Sequence, residues 1–193
     1  MKISTADTRR DVILNAALEA VSRYGYRRTS MDDIAKSAGI SRPALYQQFA
    51  NKADIYRGVI DAIKSQSLAA AETAFASDGS FVDRLRTALH AVLIEPHRMV
   101  ASSPHGEEML ELNNQVAADE MAAWRDDKHR LIEQAALAEP NLDAAAAGAL
   151  ATVVTNFVYG MKANNPPVEE MEKQLEELLV IVSGLLDRTP NST

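Results

Sequence analysis

A central segment organises this 193-residue chain: Asp33-Ile34-Ala35-Lys36-Ser37-Ala38-Gly39-Ile40-Ser41-Arg42-Pro43-Ala44-Leu45-Tyr46-Gln47-Gln48-Phe49. The pattern predicts a short helix, a turn at Gly39 and a second short helix that begins after Ser41. Ala35 and Leu45 stand where a helix-turn-helix needs a small residue and a core residue. Such a unit can present its second helix to the major groove of DNA.

The flanking sequence completes a small helical head. A helix from about Arg9 to Tyr24 is predicted by its apolar stripe and by the turn residue Gly25. Ser30 with Asp33 has the form of a capping box at the start of the next helix. Leu45 and Phe49 are four residues apart and share one face, which we expect to point inward. Residues Arg42, Pro43, Tyr46 and Gln47 then share the outer face.

Charge is distributed unevenly along the chain. Residues 1–60 carry ten Lys and Arg against six Asp and Glu, a net charge of +4, whereas residues 61–193 carry ten against 21, a net charge of −11. A basic head on an acidic body is typical of a protein that meets nucleic acid through the head. The acidic body would repel DNA and so orient the head toward it.

Composition excludes several other classes. The chain has no cysteine, and therefore neither a disulfide framework nor a thiol nucleophile, and 47% of its residues are hydrophobic, enough to fill a core. The polar start of the sequence lacks the apolar segment of a signal peptide, and no run of about 18 apolar residues is present. We therefore expect a cytoplasmic protein without a membrane span.

From about Thr8 to Ile60 the chain resembles the tetracycline-repressor (TetR) family of bacterial transcriptional regulators. The resemblance rests on Ile13-Leu-Asn-Ala-Ala-Leu18, Tyr24-Gly25-Tyr26, Thr29 to Ala35, Ala38-Gly39-Ile40-Ser41, Leu45-Tyr46 with Phe49, and Asn51-Lys52. It implies an all-α fold of about nine helices, with a three-helix DNA-binding domain at 1–51 and an effector-binding and dimerisation domain at 52–193. Gln47-Gln48 departs from the family, which usually places an aromatic residue or histidine there, so the operator sequence does not carry over.

The resemblance also implies roles for individual residues. Thr29 and Ser30 would contact backbone phosphate, although helix capping is an alternative role for both. Arg42, Pro43 and Ala44 would approach base edges, and Tyr46 and Lys52 would each contact a phosphate. Arg can pair with guanine and Gln with adenine. The complete set of expected DNA-binding residues is Thr29, Ser30, Ser41, Arg42, Pro43, Ala44, Tyr46, Gln47 and Lys52.

The body is predicted to be helical throughout. One helix is expected over about Phe81 to Ile94, followed by irregular chain from Pro96 to Gly106. The last two helices, about Leu142 to Ala163 and Val168 to Leu186, are rich in small and apolar residues, and in the family such helices pair with their twins. The expected interface comprises Ala147, Ala151, Val154, Leu175, Leu178 and Val182. The alternative is an ordinary buried helix pair inside a monomer.

The resemblance further implies an effector pocket among the middle helices. The candidate lining residues are Phe75, Leu93, His97, Met109, Leu112, Trp124 and Phe157. Apolar and aromatic residues at helical spacing are more often core than ligand contacts, so core packing is the alternative for each. His97, His105 and the nearby glutamates have no compact metal-ligand spacing, and we expect neither a metal nor a cofactor.

These observations together predict a regulator that binds a palindromic operator in double-stranded DNA as a homodimer. An unidentified small molecule would enter the body and release the operator. An alternative is a DNA-binding scaffold that needs no effector and responds to a protein partner. An enzyme is not expected, because no nucleophile–base pair, phosphate loop or metal motif is recognisable.

Overall fold

The computed structural model describes residues 8–116 and 118–187, with side chains described outside 112–123. The described residues form nine helices and no strands, which confirms the predicted all-α fold. The helices are α1 (Arg9–Tyr24), α2 (Met31–Ser37), α3 (Arg42–Tyr46), α4 (Lys52–Phe75), α5 (Phe81–Leu89, His90–Ile94 and Glu95–Ala101 in succession), α6 (Gly106–Val116), α7 (Ala118–Leu137), α8 (Ala144–Asn164) and α9 (Val168–Leu186).

Local hydrogen bonds explain where most of these helices begin. The Thr8 hydroxyl accepts from the Asp11 backbone N–H at the start of α1, and the Ser41 hydroxyl accepts from Ala44 at the start of α3. Ser30 and Asp33 form a complete capping box at the start of α2. Each of these bonds satisfies a backbone N–H that has no partner inside its helix. The helix starts of the head are therefore encoded locally.

The irregular chain that was expected to begin at Pro96 begins only at Ser102, because α5 continues as a helix to Ala101. The five residues before Glu95, His90–Ile94, form a π-helical turn, and the Glu95 N–H donates to the carbonyl of His90. Proline has no N–H to donate to the preceding turn and normally interrupts a helix. A wider turn directly before Pro96 changes the local hydrogen-bond register, which lets the helix pass through the proline.

The described residues divide into two compact units. The first contains the chain up to Gln66 together with Arg98–Met121, and the second contains Ser67–His97 and the chain from Ala122 onward. The first unit is larger than the expected head of 1–51. Ile55, Tyr56, Val59 and Ile60 of α4 and Met109 of α6 are buried in the same core as the three head helices. Their burial removes apolar surface from water and ties these segments to the head.

The second unit is built around a core from α4, α5, α7, α8 and α9. Helix α8 is also the one helix among the described residues that is long and apolar enough to cross a membrane, with a mean hydropathy of 1.4. Seven of its residues are buried within this unit. A core helix passes the same length and composition test, and 39% of the tested window of α8 is buried in this structure.

The predicted dimer residues lie in the wrong place for an interface. Ala147, Ala151, Val154, Leu175, Leu178 and Val182 are all buried within the second unit. The large apolar residues of α8 and α9 that are exposed are instead Val153, Tyr159, Val180, Ile181 and Leu185. Both helices are apolar on more than one side, and sequence periodicity does not distinguish the side that packs inside from the side that remains outside.

Candidate nucleic-acid interface and effector site

Helix α3 is short and depends on the core beneath it. Leu45 and Phe49 are 0% and 1% exposed and anchor its inner side. Ser41 caps its first turn, and Pro43 lies in that turn, where its missing N–H costs little. Five residues are too few for a helix that is stable alone, so α3 forms because its inner side is buried.

The outer side of α3 gathers the expected base-contacting residues. Ser41, Arg42, Pro43, Tyr46 and Gln47 are exposed, while Ala44 is half-buried. These side chains leave an array of hydroxyl, guanidinium and amide groups at the surface. Such groups can bond to phosphate oxygens and to base edges in a major groove.

Arg42 has a partner that sequence analysis missed. Its guanidinium Nη1 donates to Oδ2 of Asp32 at 3.0 Å and lies beside the ring of Tyr46, 5.6 Å from its centroid. The hydrogen bond with Tyr46 and the charge of Asp32 raise the pKa of Arg42. Both partners are exposed, so this ion pair is weak and a guanine edge can replace Asp32. Asp32 therefore orients Arg42 while DNA is absent.

The phosphate contact expected of Thr29 was wrong. Thr29 is 2% exposed, and its hydroxyl donates to the carbonyl of Gly25 at 2.7 Å. The side chain closes the turn between α1 and α2 and does not reach the surface. Ser30 remains exposed, but its hydroxyl belongs to the capping box with Asp33. Capping, the alternative role considered for both residues, accounts for Ser30.

Lys52 is held inside its own unit. Its ammonium donates to the carbonyl oxygens of Tyr26 at 2.6 Å and Thr29 at 2.8 Å, and it lies 4.2 Å from the centre of the Tyr26 ring. Burial lowers the pKa of Lys52, while the nearby carboxylate of Glu108 acts in the opposite direction. Two of its three donors are thus used within the protein. The structure assigns Lys52 a structural role at this turn in place of the expected phosphate contact.

Glu108 is a further residue that sequence analysis missed. Its Oε1 accepts from the backbone N–H of Arg27 at 2.7 Å, and Ser103 of the same segment donates to the carbonyl of Ser22 at 3.1 Å. The hydroxyl of Tyr56 in α4 donates to the carbonyl of Met109 at 3.2 Å. Burial is the main cause that raises the pKa of Tyr56, so it remains a donor. Residues 103–109 are therefore bonded directly to the DNA-binding head.

The expected effector residues do not form one group. Phe75, Leu93 and Trp124 are buried in the second unit, and Phe157 packs against its core. His97 is half-buried, with its Nε2 3.0 Å from the carbonyl oxygen of Pro166. Met109, by contrast, belongs to the core of the first unit. The side chain of Leu112 lies outside the described residues.

Sequence comparison matches the head to known regulators. The family model for bacterial regulatory proteins of the tetR family matches residues 13–59. The HTH-type transcriptional activator FasR of Mycolicibacterium smegmatis is 35% identical over 85 residues, which cover 44% of this chain and 39% of FasR. The DNA-binding transcriptional repressor TetR of Mycobacteroides abscessus is 35% identical over 60 residues, 31% of this chain and 32% of the repressor. These matches span less than half the length of the curated relatives.

Similarity of fold extends over nearly the whole chain. A transcriptional regulator from Rhodococcus sp. superposes with a TM-score of 0.69 at 16% identity, covering 95% of this chain and all of the other. A TetR-family transcriptional regulator from Pectobacterium atrosepticum superposes with a TM-score of 0.66 at 22% identity, covering 93% and 95% of the two chains. At these identities the likeness concerns the fold. All four similar proteins are named as regulators, which agrees with the expectation that this chain is not an enzyme.

Proposed function

We propose that this chain, whose residues 13–59 match the model for bacterial regulatory proteins of the tetR family, is a homodimeric transcriptional repressor that a small-molecule effector releases from its operator. The observation that carries DNA binding is the exposed outer side of α3, with Ser41, Arg42, Tyr46 and Gln47 standing on a buried anchor of Leu45 and Phe49. The net charge of +4 on residues 1–60 attracts the phosphate backbone, and the acidic remainder repels it.

Dimerisation is supported by the outer apolar side of the last two helices. Val180 and Ile181 on α9 are 73% and 71% exposed, and Val153 on α8 is 57% exposed. Gly184 on α9 and Gly160 on α8 have open space where a side chain would stand. A second copy that covered this side would bury it by a two-fold contact and hold two α3 helices at a fixed spacing.

Effector release requires that ligand binding move the head. Within the first unit, Ser103 and Glu108 are bonded to Ser22 and Arg27, so a ligand that moved the segment 103–109 would disturb the turn between α1 and α2. Release further requires that the ligand bind the DNA-free conformation more tightly than the DNA-bound one.

Selection of bound sequences from a random DNA pool tests the DNA-binding proposal. We expect a palindrome with two equal half-sites. Arg42→Ala should weaken binding to the selected site by at least about tenfold and relax the preference at one base position. Lys36→Ala, which changes an exposed cation of α2, serves as the charge-matched control and should not alter sequence preference. A pool that yields no enriched sequence at low salt would refute the proposal.

The dimer is tested separately by sedimentation. Ile181→Asp should convert a dimer into a monomer, because a carboxylate would be buried without a partner. Lys173→Gln, an exposed polar change on the same helix, should leave the dimer intact. A parent protein that sediments as a monomer would contradict the proposed homodimer without bearing on the fold.

A further inference from the structure

The helical path of α3 continues beyond Tyr46 as far as Phe49. The backbone N–H of Gln47 donates to the carbonyl of Pro43 at 3.1 Å, and that of Phe49 donates to the carbonyl of Leu45 at 3.1 Å. Both bonds join residues four positions apart, as in an α-helix. Gln47 itself has φ −70° and ψ −23°, within the right-handed helical region. The side chains of Gln47 and Phe49 therefore follow the same rotation as those before them.

Gln47 points away from the buried anchor of α3, which consists of Leu45 and Phe49. Each residue of an α-helix is rotated by about 100° from the one before it. Gln47 stands midway between the two anchor residues in the sequence, so it is rotated by about 200° from each of them. Both anchor residues are buried, whereas Gln47 is exposed. Gln47 is therefore at the middle of the outer side, which faces the major groove in the proposed complex.

Arg42 lies at one edge of the same outer side. It precedes Gln47 by more than one helical turn and is rotated from it by about 140°. Its guanidinium bonds to Asp32 of α2 and lies beside the ring of Tyr46, so it stands on the edge next to α2. The middle of the outer side is thus occupied by Gln47, with the exposed Pro43 one turn before it.

The side-chain amide of Gln47 keeps both of its hydrogen-bonding groups available. Among the residues that the structure describes, none forms a hydrogen bond with this amide. It offers a carbonyl acceptor and an NH2 donor side by side. In the major groove adenine presents the matching pair, an acceptor at N7 and a donor at N6, and no other base presents one of each. Any other base would leave one end of the amide unpaired, which costs free energy when water is excluded.

We infer that Gln47 binds the major-groove edge of one adenine in each operator half-site, with its NH2 donating to N7 and its carbonyl accepting from the N6 amino group. This inference rests on the proposed DNA-binding function and names a base that it recognises. Arg42 and Gln47 are separated by a rise of about 7.5 Å along the helix. Successive base pairs are about 3.4 Å apart, so the two residues contact different base pairs.

Base analogues test this contact with the parent protein. Each adenine of the selected half-site is replaced in turn by 7-deazaadenine, which still pairs with thymine but lacks the N7 acceptor. We expect one position to weaken binding by at least about fivefold, the lower end of the discrimination that a bidentate base contact provides. In Gln47→Ala the same analogue at the same position should have no effect, because the contact is already absent.

Selection from a random pool with Gln47→Ala identifies the base independently. We expect the parental palindrome with its preference lost at one A·T pair, and this pair should differ from the one affected in Arg42→Ala. Gln48→Ala is the matched control. This second exposed glutamine is rotated by about 100° from Gln47 toward the anchor, so its loss should leave every base preference unchanged.

Several results would overturn the inference while leaving the proposed function intact. Loss of preference at a G·C pair would show that Gln47 binds another base, and equal weakening of all sequences would show that it contacts phosphate. Unchanged preferences in Gln47→Ala, or a parent protein that tolerates 7-deazaadenine at every position, would show that it makes no such base contact. A parent protein that enriches no sequence from the pool would overturn both the inference and the proposed function.

Discussion

The carboxylate of Glu108 accepts a hydrogen bond from the backbone N–H of Arg27 across 81 residues of sequence, with an N···O distance of 2.7 Å. A second oxygen of the same carboxylate lies beside Gly25, where an added Cβ would meet it at 2.5 Å. Lys52 holds the neighbouring carbonyls of Tyr26 and Thr29. The turn between α1 and α2 is thus bonded to both α4 and α6, neither of which belongs to the three head helices.

Glu108→Ala should lower the free energy of unfolding of the first unit by about 1 kcal/mol, because Arg27 loses the acceptor of its N–H. The guanidinium of Arg27 is largely exposed and adds little to this value. Urea titration measures the change. Glu107→Ala, a neighbouring exposed glutamate, is the control, and equal destabilisation by the two variants would show that the bond has no specific role.

Gly25→Ala should destabilise the protein more than Gly39→Ala. Gly25 has φ 82° and ψ 155°, a conformation that is almost confined to glycine, and its site is also crowded by Glu108 and His105. Gly39 has φ 67° with open space around it. We expect the free energy of unfolding to fall by about 2–3 kcal/mol in Gly25→Ala and by about 1 kcal/mol in Gly39→Ala. Thermal unfolding measures both changes. The reverse order would show that crowding at Gly25 is relieved by movement of Glu108.

Lys52→Met tests the reassignment of this lysine. Loss of two bonds to carbonyl oxygens should reduce the stability of the first unit by about 1–2 kcal/mol. The salt dependence of DNA binding should remain that of the parent protein, because no phosphate contact is lost. The selected operator, titrated over a range of salt concentrations, provides the measurement. A reduction of the logarithmic salt slope by about one would restore Lys52 to the phosphate contacts.

Acid should weaken α2 through Asp33. Hydrogen bonds from the hydroxyl and the backbone N–H of Ser30 lower the pKa of Asp33 from its ordinary value of 3.8. The pKa of Asp33 is lower in the folded protein than in the unfolded chain. The unfolded chain therefore binds the proton first as pH falls. The stabilisation is complete above pH 3.8 and disappears as pH falls through the folded-state pKa.

Ser30→Ala should therefore reduce the loss of stability that occurs as pH falls below the ordinary pKa of 3.8. Denaturant midpoints of the parent and the variant at several pH values give the comparison. At the start of α5, Ser80 donates a hydrogen bond to Asp83 in the same way, and this pair stays intact in the variant. It accounts for part of the dependence of stability on pH that remains. Parallel pH profiles for the parent and Ser30→Ala would contradict the role of this bond.

The sequence by itself determined the helices of the head and the outer side of α3. Capping by Ser30 and Ser41, the turn at Gly39 and the four-residue spacing of Leu45 and Phe49 all act within one or two helical turns. Interactions over such short distances are specified by neighbouring residues, so they can be predicted from the sequence alone.

Only the tertiary structure determined which side chains of these helices are buried, which are hydrogen-bonded and which remain exposed. It buried Thr29, engaged Lys52 with two carbonyls and joined the segment around Glu108 to the head, through partners distant in the sequence. It also decided that Val154 and Leu178 face the core while Val180 and Ile181 face outward. An apolar stripe in the sequence indicates only that its side chains favour burial. Which stripe is buried depends on the shapes and positions of all the other helices in the unit.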